Sequence, residues 1–211
     1  MEYVKAVLTV HVIAGILSLL TGLLVFILKK GTPLHVRIGK AYYAAMTIVF
    51  VSSVYVSALK NNVFLLLIGI FSYYLVYTGI LYNRNRSAEK LNTWNYTRIL
   101  FFALIFLSML IYGTYALFIG AQSLGIILFV FGGIGAFLSR IDIVFYIFKK
   151  QEVKTNFSVR SHLGRMTGSY IAAVTAFAVN NIHFLPTVVI WLLPTVLGFI
   201  LISYYDRKYA R

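Results

Sequence analysis

Long runs of apolar residues alternate along this chain with short polar segments. Seven of the runs have about the 20 residues that a helix needs to cross the hydrocarbon core of a bilayer. They cover residues 4–28, 38–59, 62–82, 96–119, 123–148, 163–180 and 184–205. Polar residues within the runs are mostly Ser, Thr, Tyr or Gly, and they do not alternate with apolar residues as barrel strands require. The pattern predicts an all-α integral membrane protein whose residues 1–211 form a single seven-transmembrane-helix bundle.

Basic residues lie almost entirely on one side of this predicted bundle. Of the 19 Lys and Arg residues, all but Lys5 and Lys60 fall in the first, third and fifth connections, in their flanks or in the C-terminal tail. The first of these connections, residues 29–40 (KKGTPLHVRIGK), turns through Gly31 and Pro33. Because short basic connections stay inside the cell, we expect the N-terminus outside and the C-terminus in the cytoplasm.

The composition also indicates a membrane location. Hydrophobic residues make up 61% of the chain and charged residues 11%, and the mean hydropathy is +0.88. The net charge of +14 is distributed between apolar runs, which favours anionic lipid headgroups over nucleic acid as the partner. The chain has no cysteine, so disulfides and thiolate chemistry are excluded. These features suit the plasma or inner membrane of a prokaryote.

Ionisable and small residues predict what lies inside the bundle. Asp142 is the only acidic residue within the body of a run, and we predict that the middle of every span lacks charged side chains, which counts against a proton pump. The seventh run has no lysine, which excludes a retinal protein. Glycines and other small residues predict that the first, fifth and sixth helices are interior. The sixth helix is expected to be capped by Ser158 or Ser161.

Four histidines form the main candidate for chemistry. His11 and His183 fall at the outer ends of the predicted spans, and His35 and His162 fall at the inner ends. Two imidazoles at each level are what two stacked b-type haems require as axial ligands, and Gly15 would leave room for a flat macrocycle beside His11. This arrangement predicts a small membrane haem protein that transfers electrons, with a quinone as its partner.

Two other functions fit the same residues. The first is a non-catalytic binding or transport module, in which the inner basic residues and four deep tyrosines hold a lipid or small hydrophobic molecule. These tyrosines are Tyr73, Tyr74, Tyr77 and Tyr112. The second is a metal-dependent membrane enzyme, in which His35, His162 and Asp142 bind zinc or iron.

Structural roles are the alternative to each kind of site. The histidines could be headgroup contacts and local hydrogen-bonding groups. Asp142 could neutralise Arg37, Arg140 or Arg165 instead of binding a metal.

Two stretches resemble a known family. The spacing H-x3-G in the first helix, followed by KGTPLH-x-R-x-G and then Met46, is similar to the bacterial membrane family known only as domain of unknown function 2306. The segment RSHLGRMTGSYIAAVTAF is similar to the penultimate helix of that family. The resemblance implies a polytopic membrane protein without implying an activity. It directs attention to His11, His35, Arg37, Gly39, Asp142, His162 and Asn180, and it adds Arg37 to the candidate cofactor-binding residues.

Overall fold

The structure, a computed structural model, describes residues 2–60, 62–84, 93–148 and 155–209. Within these ranges the chain forms α1 (Glu2–Ile27), α2 (Pro33–Leu59), α3 (Val63–Arg84), α4 (Thr93–Phe118), α5 (Gln122–Asp142), α6 (Thr155–Asn181) and α7 (Thr187–Tyr209). A π-helical segment, Ile143–Phe148, continues α5. The prediction of an all-α fold is confirmed, because the described ranges contain no strand.

Six of the described helices, all except α6, are long and apolar enough to cross a membrane. This composition fits a multi-pass membrane protein. α6 has 27 residues and is also long enough, but its first half carries Arg160, His162 and Arg165. The sixth predicted span is therefore less apolar than the other six.

α6 begins at Thr155 rather than at the apolar run 163–180 that predicted it. The expectation that Ser158 or Ser161 caps α6 is wrong, because both lie inside the helix. The buried hydroxyl of Ser158 donates instead to the backbone carbonyl of Tyr82 on α3. Because α6 begins earlier than predicted, Arg165 lies well inside it, about 15 Å from Thr155 at a rise of about 1.5 Å per residue.

α3 is the central helix of the bundle. It packs against α2, α4, α5 and α6. Tyr74, Val76 and Tyr82 on α3 are fully buried. The contact between Tyr82 and Ser158 lies near one end of α3, and the contact between Leu75 and Gly168 lies near its middle, so α3 and α6 run antiparallel.

α1 lies at the edge of the bundle. Its buried residues are Ala14, Ser18 and Gly22, which form one narrow stripe. The prediction that α1 is an interior helix is therefore wrong, because its small residues fit a single face closely against α2 and α6. The expectation holds better for α5, in which Gly125, Gly132 and Gly135 lie against α4.

The end of α1 and the end of α7 lie on the same side of the bundle. The Lys30 ammonium donates to the carbonyls of Val25 (2.7 Å) and Phe26 (3.1 Å), so it satisfies the last turn of α1. It also lies 5.2 Å from the centroid of the Tyr205 ring on α7. Burial lowers the pKa of Lys30, and the nearby charge of Lys208 lowers it further.

Candidate functional site

Two of the four predicted histidine ligands make hydrogen bonds to neighbouring helices. His11 is partly buried in α1, and its Nδ1 lies 2.8 Å from Oγ of Ser52 on α2. His162 Nδ1 donates to the carbonyl of Gly79 on α3 at 2.8 Å, because a carbonyl oxygen only accepts. This bond fixes the Nδ1–H tautomer of a neutral His162 ring.

The other two histidines differ in their surroundings. His183 is exposed in the link between α6 and α7. His35 is half-buried near the start of α2, and its buried Nδ1 atom has no hydrogen-bond partner among the described residues. The remaining candidate cofactor residues leave room for a ligand, since Arg37 is exposed and a Cβ built on Gly15 meets no atom within 4 Å.

Helix register gives the levels of the inner histidines. The Tyr42 hydroxyl on α2 and the Ser169 Oγ on α6 are 2.8 Å apart. His35 and His162 each lie about two turns before these residues on helices that run parallel, so they lie at about the same level. The two rings are not bonded to each other, however, and His162 Nδ1 is bonded to Gly79 of α3.

Helix register also gives the level of His11, one of the two outer histidines. Tyr170 of α6 packs against Gly22 and Phe26 of α1, with 5.1 Å between the centroids of the Phe26 and Tyr170 rings. Since α1 and α6 run antiparallel, His11 lies near the level of Asn181, at the end of α6. Haem binding at either level stays a prediction.

The alternative metal site does not assemble among the described residues, where no three His, Cys, Asp or Glu side chains form a group that could hold a metal ion. Asp142 instead forms an ion pair with Arg165, whose Nη2 lies 2.6 Å from Asp142 Oδ1. Both side chains are buried, with exposed fractions of 0% and 4%. The structure thus matches the alternative in which Asp142 neutralises an arginine.

Two tyrosine hydroxyls complete the environment of Asp142. Tyr74 donates to Asp142 Oδ2 at 2.5 Å, and Tyr82 donates to Asp142 Oδ1 at 2.7 Å. The carboxylate therefore receives one hydroxyl on each oxygen in addition to the guanidinium of Arg165. These donors replace the hydrogen bonds to water that a charge loses when it is buried.

Neutral groups on α3 and α5 also bind the Arg165 guanidinium. Its Nη1 donates to the Tyr74 hydroxyl and to Thr78 Oγ1, both at 2.9 Å. Its Nη2 donates to the Leu138 carbonyl at 3.3 Å as well as to Asp142. Arg165 thus reaches from α6 to both neighbouring helices.

The ion pair lies inside the bundle, nearer to the ends of α3 and α5 than to their starts, because Asp142 is the last residue of α5 and its partner Tyr82 is two residues before Arg84. Tyr74 is about 15 Å from Arg84 at the end of α3, and Arg165 is about 15 Å from Thr155 at the start of α6. The prediction that the middle of every span lacks charge stays a prediction, and so does the argument against proton coupling that depends on it. Ionisable residues at such depth mark functional sites by default.

The sequence names Arg165 only as one of three arginines that Asp142 could neutralise, and it gives no role to Tyr82. It assigned Arg165 to a cytoplasmic flank because the helix was expected to start later. Tyr82 is the last residue of the third predicted span, and the structure buries it fully against the ion pair. The available signal was Asp142, since an acid inside an apolar run requires a buried partner.

Three of the four deep tyrosines make contacts within the bundle. Besides Tyr74, Tyr77 donates to Asn95 Oδ1 at 2.7 Å, and Tyr73 stacks on Phe50 with 4.4 Å between ring centroids. Tyr112 is on the surface, with 36% of its area exposed.

An elongated cavity of about 860 Å³ lies beside the ion pair. Its walls come from α3, α5, α6 and α7, and its apolar lining includes Leu75, Phe131 and Phe199. Along α6 the lining extends from Phe157 to Ala172, which is about 22 Å at the helical rise. The cavity is thus elongated along α6, and it opens to the outside of the bundle at Phe137 and Phe199, which are exposed.

Most polar groups of the cavity lie in one half of its length. Arg160 and Ser161 line it near the start of α6, and Arg165 lines it near the middle. Beyond Arg165 the lining residues of α6 are Gly168, Ile171 and Ala172, which have no polar side chain. The arrangement suits a molecule with one polar end and one long apolar end.

No known protein family, curated protein or solved structure matches this chain. The resemblance to the domain of unknown function 2306 stays a prediction. The chemistry of the ion pair and of the cavity is therefore the basis for assigning a function.

Proposed function

We propose that the protein binds one single-chain amphiphile with an acidic headgroup, such as a long-chain fatty acid, in the cavity between α5, α6 and α7. The observation that carries this proposal is the cavity itself, which is apolar over most of its length and basic over the rest. Its volume is within the range of about 300–1,000 Å³ that is typical of small-molecule sites. One chain, rather than a two-chain phospholipid, suits that volume.

Charge complementarity supports an acidic headgroup. The charged residues that line the cavity are Arg160 and Arg165, and the neighbouring Ser161 hydroxyl offers a further donor. Guanidinium groups bind carboxylates with short, charge-assisted hydrogen bonds. The apolar chain of the ligand would then extend along α6 towards Ala172.

We further propose that all seven helices cross the membrane, with the N-terminus outside. α6 is less apolar than the others, but its buried polar residues Ser158, Arg165 and Ser169 are turned towards other helices rather than towards lipid. A helix with such a pattern can span a bilayer, since polar groups inside a bundle are satisfied by neighbours.

Electron transfer through bis-histidine haem remains a second candidate. It is favoured by the hydrogen bond from His162 Nδ1 to the Gly79 carbonyl, since histidine ligands commonly donate their other ring nitrogen to such an acceptor. His35 would be the partner of His162 at the inner level, with Arg37 nearby, and His11 with His183 the pair at the outer level, beside Gly15. Haem would supply one-electron chemistry, and these rings would supply its axial ligands.

Native mass spectrometry of the purified protein tests the ligand. We expect a fatty-acid adduct on the unchanged protein, and Gly164→Leu should reduce its occupancy about tenfold by filling the cavity. A Cβ at Gly164 meets only Ile202, at 3.9 Å, so the new side chain starts without a clash. The matched control is Gly39→Leu on α2, where a Cβ meets no atom within 4 Å and no lining residue is altered.

Equal adduct occupancy in both variants would mean that the lipid lies around the bundle and not in the cavity. An absorption spectrum of the protein, expressed with added haem, distinguishes haem binding from amphiphile binding. A Soret band that His162→Ala weakens would support haem, whereas a colourless protein that keeps its adduct supports the amphiphile.

A further inference from the structure

We propose that Arg165 is the headgroup-binding residue of this cavity and that Asp142 is its built-in counter-ion, which an acidic ligand must displace. This inference rests on the proposed function, because it names the residue that selects acids over uncharged amphiphiles. It differs from a purely structural role for the pair, which would leave ligand choice unaffected.

The two charges differ in their access to the cavity. Arg165 lines the cavity together with Leu138, whereas Asp142 is fully buried and is not among the lining residues. Arg165 is therefore the member of the pair that a ligand in the cavity meets first, and the carboxylate lies behind it. In addition, no described Cα atom of α6 lies within 8 Å of one of α5, so the ion pair crosses a gap between the two helices.

Each member of the pair keeps neutral partners when the ion pair is broken. Asp142 retains the hydroxyls of Tyr74 and Tyr82, one on each carboxylate oxygen. Arg165 retains Thr78 Oγ1 and the Leu138 carbonyl. The bond between Arg165 Nη2 and Asp142 Oδ1 is therefore the one that a second carboxylate can replace with an equivalent bond.

Competition follows from the charges. Two carboxylates close to one guanidinium repel each other, so an acidic headgroup at Arg165 competes with Asp142. Asp142 lowers the affinity for acids by remaining paired, and it prevents Arg165 from being an unpaired charge inside an empty cavity. An uncharged chain of the same length does not compete for Arg165 and is unaffected.

The test compares palmitate with its uncharged analogue hexadecanol, each titrated into the full-length protein in detergent and followed by native mass spectrometry. Asp142→Asn removes the competing charge and keeps a polar side chain of the same size. We expect this variant to bind palmitate about tenfold more tightly, the effect of one charge-assisted hydrogen bond, with hexadecanol unchanged. Arg165→Gln should abolish the preference for palmitate.

The double variant Asp142→Asn/Arg165→Gln has no charge in the pair, so it serves as the control for folding and should bind the two probes equally well. Asp142→Asn with unchanged palmitate affinity, or a double variant that still prefers palmitate, would overturn the role of the pair. If the unchanged protein binds neither probe and Gly164→Leu makes no difference, the proposed function itself fails. Those outcomes separate the two proposals.

Discussion

Tyr74 contacts both charges of the buried ion pair. Its hydroxyl donates to Asp142 Oδ2 at 2.5 Å and accepts from Arg165 Nη1 at 2.9 Å. At this site one phenol hydrogen-bonds to both the anion and the cation. The sequence indicated only that Asp142 needs a partner, and it offered three arginines for that role.

Loss of the Tyr74 hydroxyl should destabilise the protein, because both charges of the ion pair bind it. We expect Tyr74→Phe to lower the free energy of unfolding by about 1–3 kcal/mol, because a donor to one buried charge and an acceptor for another disappear together. Equilibrium unfolding in mixed micelles measures the effect. Tyr112→Phe is the control, since Tyr112 is on the surface, and equal losses in the two variants would contradict the interpretation.

At the scale of elements, local signals predicted the first connection better than they predicted α6. Gly31 has a φ of +81°, Thr32 caps α2 and Pro33 is its first residue, as a turn through Gly31 and Pro33 requires. α6 instead begins among polar residues at Thr155, because one face of its early turns, which includes the buried Ser158, packs against α3. Hydropathy alone does not register that burial.

Close approach of α4 and α5 provides a sharp test at this scale. A Cβ on Gly132 would lie 3.0 Å from the Met109 Cβ and 3.2 Å from the backbone nitrogen of Leu110, whereas a Cβ on Gly133 meets nothing within 4 Å. We expect Gly132→Ala to destabilise the protein by about 1–3 kcal/mol through overpacking.

Gly133→Ala is the matched control and should be neutral or stabilising by up to about 1 kcal/mol, because alanine is the better helix former. Both values come from the same micelle unfolding experiment. A larger loss from Gly133→Ala than from Gly132→Ala would contradict the helix packing.

At the scale of the whole molecule, the distribution of basic residues predicts how the bundle lies in the membrane. The chain has no cysteine, so single-cysteine variants can be labelled without background. We expect a membrane-impermeant maleimide to label Lys60→Cys in intact cells, and to label Lys29→Cys only after permeabilisation. Both positions are exposed, and the reverse labelling pattern would show the opposite orientation.

The sequence by itself determined that the chain is helical, about where most of the helices lie and that they are apolar enough for a membrane. This follows because a backbone in lipid must satisfy its own hydrogen bonds, and an unbroken apolar run does so as a helix. It also placed the four histidines and Asp142 at particular positions along the chain. Only the tertiary structure decided that Asp142 meets Arg165, Tyr74 and Tyr82, and that a cavity opens beside them. Those contacts depend on the rotation and spacing of α3, α5 and α6, which residues distant in sequence fix together and no local pattern records.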